Sequence, residues 1–411
     1  MNEKTCVLLT ASYPYGTGES FVETELPYAA KRVQLRVHPI EARNGRKART
    51  TPEGVGCEAL FEAPLPRRQL MLRAPLCFLR PEFWRELRSL RASGRLTRER
   101  LHTLMAFVIE GERIMRALER RYGRRLKEAP SDIILYSYWL REGAYAAARL
   151  AEKYGCPAVS RAHGIDIYEE RSGGYLPLRG YMLNLLRGVY PASEAGARYM
   201  CERFGFGDKI TAMHLGSEGP EKPAPWKREP PFRIVSCAFL SPVKRVPLLA
   251  RALALVDDAE IEWVHFGDGS ERAAVEAEIK KLPPNVKCIL RGNTPHEDIL
   301  RYYRETPVHL FMSVSSSEGG VPVSIMEAAS FGIPVLATDV GGTGEIVRGG
   351  LSGRLVPPEV TERALADEIG SFVRMDSAAY EALREGARRH WEDSFCAETN
   401  FKRFYDRLQA L

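Results

Sequence analysis

Residues 315–347 read Ser-Ser-Ser-Glu-Gly-Gly-Val-Pro-Val-Ser-Ile-Met-Glu-Ala-Ala-Ser-Phe-Gly-Ile-Pro-Val-Leu-Ala-Thr-Asp-Val-Gly-Gly-Thr-Gly-Glu-Ile-Val. The pattern is strand end, loop, helix, strand, loop. Glu318-Gly319-Gly320 ends the first loop, and Pro322 suits a first helical turn, where a missing N–H costs little. Glycines admit a ligand close to the backbone, and the free amides and positive end of a helix favour a phosphate there. Glu327 follows on that helix between Met326 and Ala328. A carboxylate in such company is costly to bury without a partner. Vicinal ribose hydroxyls are a suitable one, since a carboxylate accepts hydrogen bonds from both.

Outward from this stretch the chain alternates strand and helix. Strands are predicted at 233–237, 262–266, 286–290, 308–312, 334–338 and 354–356 in the second half. In the first half they fall at 5–10, 33–40, 133–138, 158–162, 189–192 and 210–214. This rhythm implies parallel sheets covered by helices. The fold class is therefore α/β, with two doubly wound Rossmann-like domains facing across a cleft. At about 150 residues per domain, 411 residues fit two. The first is assigned residues 1–217 and the second 232–389, with 218–231 as linker because 217–231 holds five prolines and no periodicity. Residues 64–127 contain Pro64, Pro66, Pro75 and Pro81 and then Arg-rich helical runs, and read as an insertion. A terminal helix, about 390–411, places Phe401, Phe404, Tyr405 and Leu408 at helical spacing and is expected to pack back on the first domain.

The composition, 45% hydrophobic and 27% charged, is ordinary and excludes a disordered chain, a collagen-like fibre and a disulfide scaffold. No run approaches the roughly 18 apolar residues of a membrane span. The run after Lys4 is too short for a signal peptide, so a cytoplasmic chain is expected. None of the eight cysteines forms a CxxC pair, which argues against a zinc site. The net charge of +6 is uneven: residues 67–127 hold 17 Lys+Arg against 6 Asp+Glu. Such a patch favours an anionic partner. Phe21 stands where a third glycine of G-x-G-x-x-G would fall, which counts against a dinucleotide oxidoreductase. A P-loop motif and an Asp-x-Asp metal motif are both missing from the sequence.

The 315–347 stretch resembles the signature of retaining GT-B glycosyltransferases of family 4, and the Tyr13-Pro14-Tyr15-Gly16 start of the first strand-to-helix loop resembles polysaccharide- and lipopolysaccharide-assembling members. The likeness spans the chain and is strongest in residues 232–356. It implies that Glu318 faces the donor sugar, that amides of Gly319, Gly320 and Val321 contact phosphate, and that Glu327 holds the ribose. The family pattern has seven residues between the two carboxylates; this chain has eight, the extra one within Gly319-Gly320-Val321. Lys244 lies after a strand, where a cation neutralises a departing diphosphate. The family carries an Arg five residues earlier; here Phe239 stands there, and Arg245 is the second basic candidate. The likeness puts Gly267 below the nucleotide, Asn293 and Thr294 at the base, and Gly16 and Gly18 in the first strand-to-helix loop against the donor. It puts His163, in His163-Gly164-Ile165-Asp166, beside the donor sugar's hydroxyls. Asp166 holds acceptor, supports His163 or caps the next helix.

The expected activity is a metal-independent, retaining transfer of a sugar, of hexosyltransferase type. The donor is a nucleotide-diphosphate sugar, and the acceptor a hydroxyl of a glycan or lipid-linked glycan in surface polysaccharide biosynthesis. The second domain carries the donor and the first the acceptor. No cofactor and no nucleic acid are expected. Residues 67–127 are assigned a peripheral contact with anionic membrane. Two alternatives stay open: a non-enzymatic anionic-ligand or carbohydrate-binding protein, and another GT-B enzyme such as a phosphorylase or epimerase.

Overall fold

The computed structural model describes residues 4–16, 19–42, 49–227 and 229–411. The chain divides into two units, residues 1–213 with 401–411, and residues 214–400. In the first unit the strands are β1 (Thr5–Thr10), β2 (Gln34–Pro39), β3 (Gly56–Cys57), β4 (Ile133–Ser137), β5 (Ala158–Ala162) and β6 (Gly188–Pro191). All pair in parallel, in the order β3-β2-β1-β4-β5-β6. β1 sits centrally with every residue buried, as a parallel strand covered on both faces requires. In the register, Leu8 lies beside Val37 on one side and Tyr136 on the other.

The second unit repeats this winding. Its strands are β7 (Phe232–Cys237), β8 (Ile261–Phe266), β9 (Val286–Gly292), β10 (Leu310–Ser313), β11 (Val335–Thr338) and β12 (Gly353–Val356). Their order is β12-β11-β10-β7-β8-β9, again all parallel. Counted from its own first strand, each sheet runs 3-2-1-4-5-6. The order reverses between β1 and β4 and between β7 and β10. In open sheets of this kind ligands gather beyond the strands' C-terminal ends at that reversal. The loops after β7 and β10 contain Lys244 and Glu318.

Four stretches differ from their sequence reading. Residues 210–214 make one isolated bridge, Val189 with Ile210, where a strand was predicted. Beyond it only alternate amides reach β6, Thr211 and Met213 donating to the Val189 and Pro191 carbonyls. Residues 218–231 belong to the second unit and are strapped to it. Arg384 and Arg388 donate to the Ala224 and Pro220 carbonyls at 2.6 and 2.9 Å.

Residues 67–128 are the β3-to-β4 crossover itself, formed by the helix Arg67–Arg73, a 3-10 segment Ala74–Leu79, the helix Pro81–Ala92 and the helix Arg98–Glu128. The last buries Leu104, Val108, Ile114 and Leu118 in the first unit's core, so it is not an appendage. The C-terminal helix Ala397–Gln409 starts later than the sequence suggests. Its Phe404, Tyr405 and Leu408 join the core around β1 and β4.

Candidate active site

Within the second unit, the loop after β7 is built from below. His265 on β8 bonds Ser236 Oγ at 2.8 Å and the Ala238 carbonyl at 3.2 Å. Burial lowers its pKa to about 4, so it is neutral near pH 7. Gly267 follows with φ +131, and a Cβ there would lie 2.0 Å from the Ala238 oxygen. This glycine therefore packs against the backbone of the loop that leads to Lys244.

Lys244 closes the 3-10 turn Pro242–Lys244. Its Nζ bonds Glu318 Oε1 at 2.5 Å, the two side chains 26% and 12% exposed. Neighbouring Arg245 is differently employed. Its φ is +49, a left-handed conformation costing a non-glycine residue about 1–2 kcal/mol. Its guanidinium donates to the carbonyls of Val314, Pro358 and Ser315 at 2.8, 2.6 and 3.2 Å. Burial lowers its pKa. Arg245 positions the loops; its donors are directed at backbone and not at an open site.

The Glu318 loop is pressed from the other side by Gly341, φ +56, where a Cβ would lie 2.2 Å from the Glu318 carbonyl. Gly319 and Gly320 are half-buried and Val321 buried. The helix Val323–Ser330 follows with Pro322 at its N-cap and no side-chain cap, leaving first-turn amides for a ligand. Glu327, on that helix, accepts from His296 Nε2 at 2.7 Å. His296 opens the helix His296–Glu305, separated by Pro295 from Asn293 and Thr294, of which Asn293 is exposed and Thr294 bonds the Gly292 carbonyl. The Cys237 thiol, between these elements, is pushed up to about 12 by burial and by Glu327, and is inert as a nucleophile.

The first unit holds a separate set. His163 follows β5, its ring stacked on Tyr138 at 5.0 Å and Phe21 at 5.6 Å, with Trp139 at 4.8 Å. Burial, and then the nearby Arg161 cation, lowers its pKa to about 3. It is a neutral ring whose Nε2 is buried with no hydrogen-bond partner in the described residues. Asp166 accepts from the His163 amide at 2.5 Å and from the Leu140 amide at 2.6 Å. It ties the loops after β4 and β5 together and is fully buried. Burial raises its pKa to about 6 against the pull of Arg179. In the loop after β1, Gly16 has φ +76. Gly18 lies outside the described residues.

Sequence reasoning missed Glu19 and His296. Glu19 accepts from the amides of Ala11, Ser12 and Tyr13 at 2.9, 2.7 and 2.7 Å and from the Trp139 indole at 2.7 Å. A carboxylate ending a Gly-rich loop at a helix start was its signal. His296 meets Glu327 across 31 residues of sequence, and no local pattern announces that.

Residues 220–390 match the family described as Glycosyl transferases group 1. The matched residues lie within the second unit. WcaL of Escherichia coli (strain K12), provisionally named a colanic acid biosynthesis glycosyltransferase, is 28% identical over 263 residues, 61% of this chain and 63% of WcaL. The amylovoran biosynthesis glycosyltransferase AmsK of Erwinia amylovora is 31% identical over 169 residues, 39% of this chain and 40% of AmsK. The chain thus spans less than two thirds of these relatives' length. The crystal structure of Anabaena HepE in complex with UDP-glucose superposes with a TM-score of 0.66 at 15% identity, covering 99% of this chain and 100% of HepE. With the two six-stranded sheets, this establishes the two-domain α/β fold of GT-B glycosyltransferases.

Proposed function

We propose that this chain is a retaining, metal-independent glycosyltransferase of family 4. It moves a sugar from a nucleotide-diphosphate donor to a hydroxyl of a glycan or lipid-linked glycan, in surface polysaccharide biosynthesis. The observation that carries this reading is the Lys244–Glu318 pair at the β7/β10 reversal, one helix away from Glu327 and inside residues 220–390. The names of WcaL and AmsK support the polysaccharide setting.

The chemistry follows from the charges. Lys244 rests on Glu318 until a diphosphate arrives and competes for the ammonium. As the glycosidic bond breaks, negative charge grows on the leaving phosphate, where Lys244 and the first-turn amides of Val323–Ser330 stabilise it. Glu318, released, accepts from sugar hydroxyls. Glu327 exchanges His296 for the ribose hydroxyls. Neutral His163 offers its unpartnered Nε2 to a sugar hydroxyl. No nucleophile is assigned in the first unit, so the same-face route applies. The leaving phosphate takes the acceptor proton as the acceptor oxygen bonds to the anomeric carbon.

Calorimetry with nucleotide sugars, beginning with UDP-glucose, tests this. Glu327→Ala should weaken UDP and UDP-sugar alike by about tenfold or more. Glu318→Ala should spare UDP and weaken the sugar nucleotide. Equal losses of both ligands in Glu318→Ala would contradict its role. Transfer should persist in EDTA, since protein cations do the electrostatic work; loss in chelator with recovery on Mg²⁺ or Mn²⁺ would overturn the metal-free route.

A further inference from the structure

The β3-to-β4 crossover carries a second feature, independent of donor chemistry. Between the helix Arg67–Arg73 with its 3-10 extension and the helix Arg98–Glu128 lies a pocket of about 330 Å³. Leu76, Val108 and Ile109 line its apolar side, and Arg73, Arg116 and Arg120 its cationic side. Among the described residues these three exposed arginines form no ion pair. Arg113, also lining the pocket, is committed to Glu110 at 2.9 Å, to the Ala63 carbonyl at 3.0 Å and to the Phe61 ring face at 3.5 Å. The one acidic lining group, Glu112, is already held by Arg80 and Arg149. An unneutralised cationic rim over an apolar wall fits an anionic amphiphile.

The surface beside the pocket points the same way. Of eleven large hydrophobics exposed among the described residues, six lie within residues 71–84. Met71, Leu72 and Leu79 are 77%, 80% and 72% exposed. Trp84 and Phe78 accompany them at 42% and 48%. Large apolar side chains left exposed in one short segment mark an interaction surface. Exposed aliphatics and Trp interleaved with Arg are what an interfacial segment presents to headgroups and acyl chains. Among the described residues no helix is long and apolar enough to cross a membrane, so attachment here is lateral. The crossover's charge excess alone is a poorer guide: Arg95 is held by Glu169 at 3.0 Å and by the Gly174 carbonyl at 2.7 Å.

We propose that this pocket seats the phosphate headgroup of an anionic phospholipid, with Met71, Leu72 and Leu79 entering the acyl boundary. The probe is sedimentation of the full chain with phosphatidylcholine vesicles, with and without phosphatidylglycerol, at low salt. Wild-type protein should pellet only with the anionic vesicles. Arg73→Gln, Arg116→Gln and Arg120→Gln together should weaken partitioning on the order of a hundredfold. The same charge loss from Arg85→Gln, Arg88→Gln and Arg91→Gln should cost less than about tenfold, and Leu72→Asp with Leu79→Asp about tenfold or more. All of these sites are solvent-exposed, and melting should be unchanged. The proposal falls if wild-type protein ignores anionic vesicles, or if the two arginine sets lose binding equally. It also falls if millimolar inorganic phosphate displaces the protein, which would make this a free-anion site. UDP-sugar calorimetry on the same variants separates failure here from failure of the donor reading.

Discussion

Lys244→Ala should lower turnover of a nucleotide sugar by about 10²–10³ while the second unit stays folded. The lysine is a quarter exposed and its ion-pair partner is a loop carboxylate, so its removal opens no core cavity. It does strand Glu318, 12% exposed, without its cation. The rate loss must therefore be separated from a stability loss. Adding Glu318→Gln removes the stranded charge and should restore the melting temperature, but turnover should stay low because nothing then neutralises the leaving phosphate. Lys244→Arg keeps the charge and should recover part of the rate. The loss should appear in kcat more than in KM, since charge on the phosphate grows between ground and transition state. A folded Lys244→Ala enzyme with wild-type turnover would remove Lys244 from the chemistry.

Strand placement was legible because strands covered on both faces read as apolar runs: β1 and β5 fall at their predicted residues, and β7 to β12 within two residues at their starts. Site residues were legible as types in loops, and less so as roles. Gly267 marks a place where only a glycine fits, and the atom that crowds it is the Ala238 oxygen in the loop after β7. Arg245 follows Lys244, yet its carbonyl partners lie 69, 70 and 113 residues away. Residues 67–127 announced their charge, while the buried stripe of Leu104, Val108 and Leu118 that makes the long helix a crossover was masked by the arginines between. Exposure of Met71, Leu72 and Leu79 is a property of the packed helices and has no sequence signature apart from them.

Glu19 makes the second large prediction. It immediately precedes the helix Ser20–Ala30, with φ +57, in the loop after the first strand of its sheet. Arg245 occupies the corresponding place in the other sheet, before the helix Val246–Leu253, with φ +49. One anchors its loop by an anion receiving amides, the other by a cation donating to carbonyls. Glu19→Ala should destabilise the first unit by about 3 kcal/mol, because it orphans three backbone amides and the Trp139 indole at a site only 8% exposed. Denaturation followed by a first-unit probe measures this without assuming that the two units melt together. Sugar-nucleotide use should fall as well, since Trp139 packs on His163 at 4.8 Å. Glu19→Gly separates the two possible origins of the effect. Glycine relieves the left-handed strain, by about 1 kcal/mol, but restores none of the four bonds. It should therefore remain clearly less stable than wild type, and only slightly better than alanine. A Glu19→Gly protein as stable as wild type would make conformation, and not the carboxylate's hydrogen bonds, the reason this loop holds its shape.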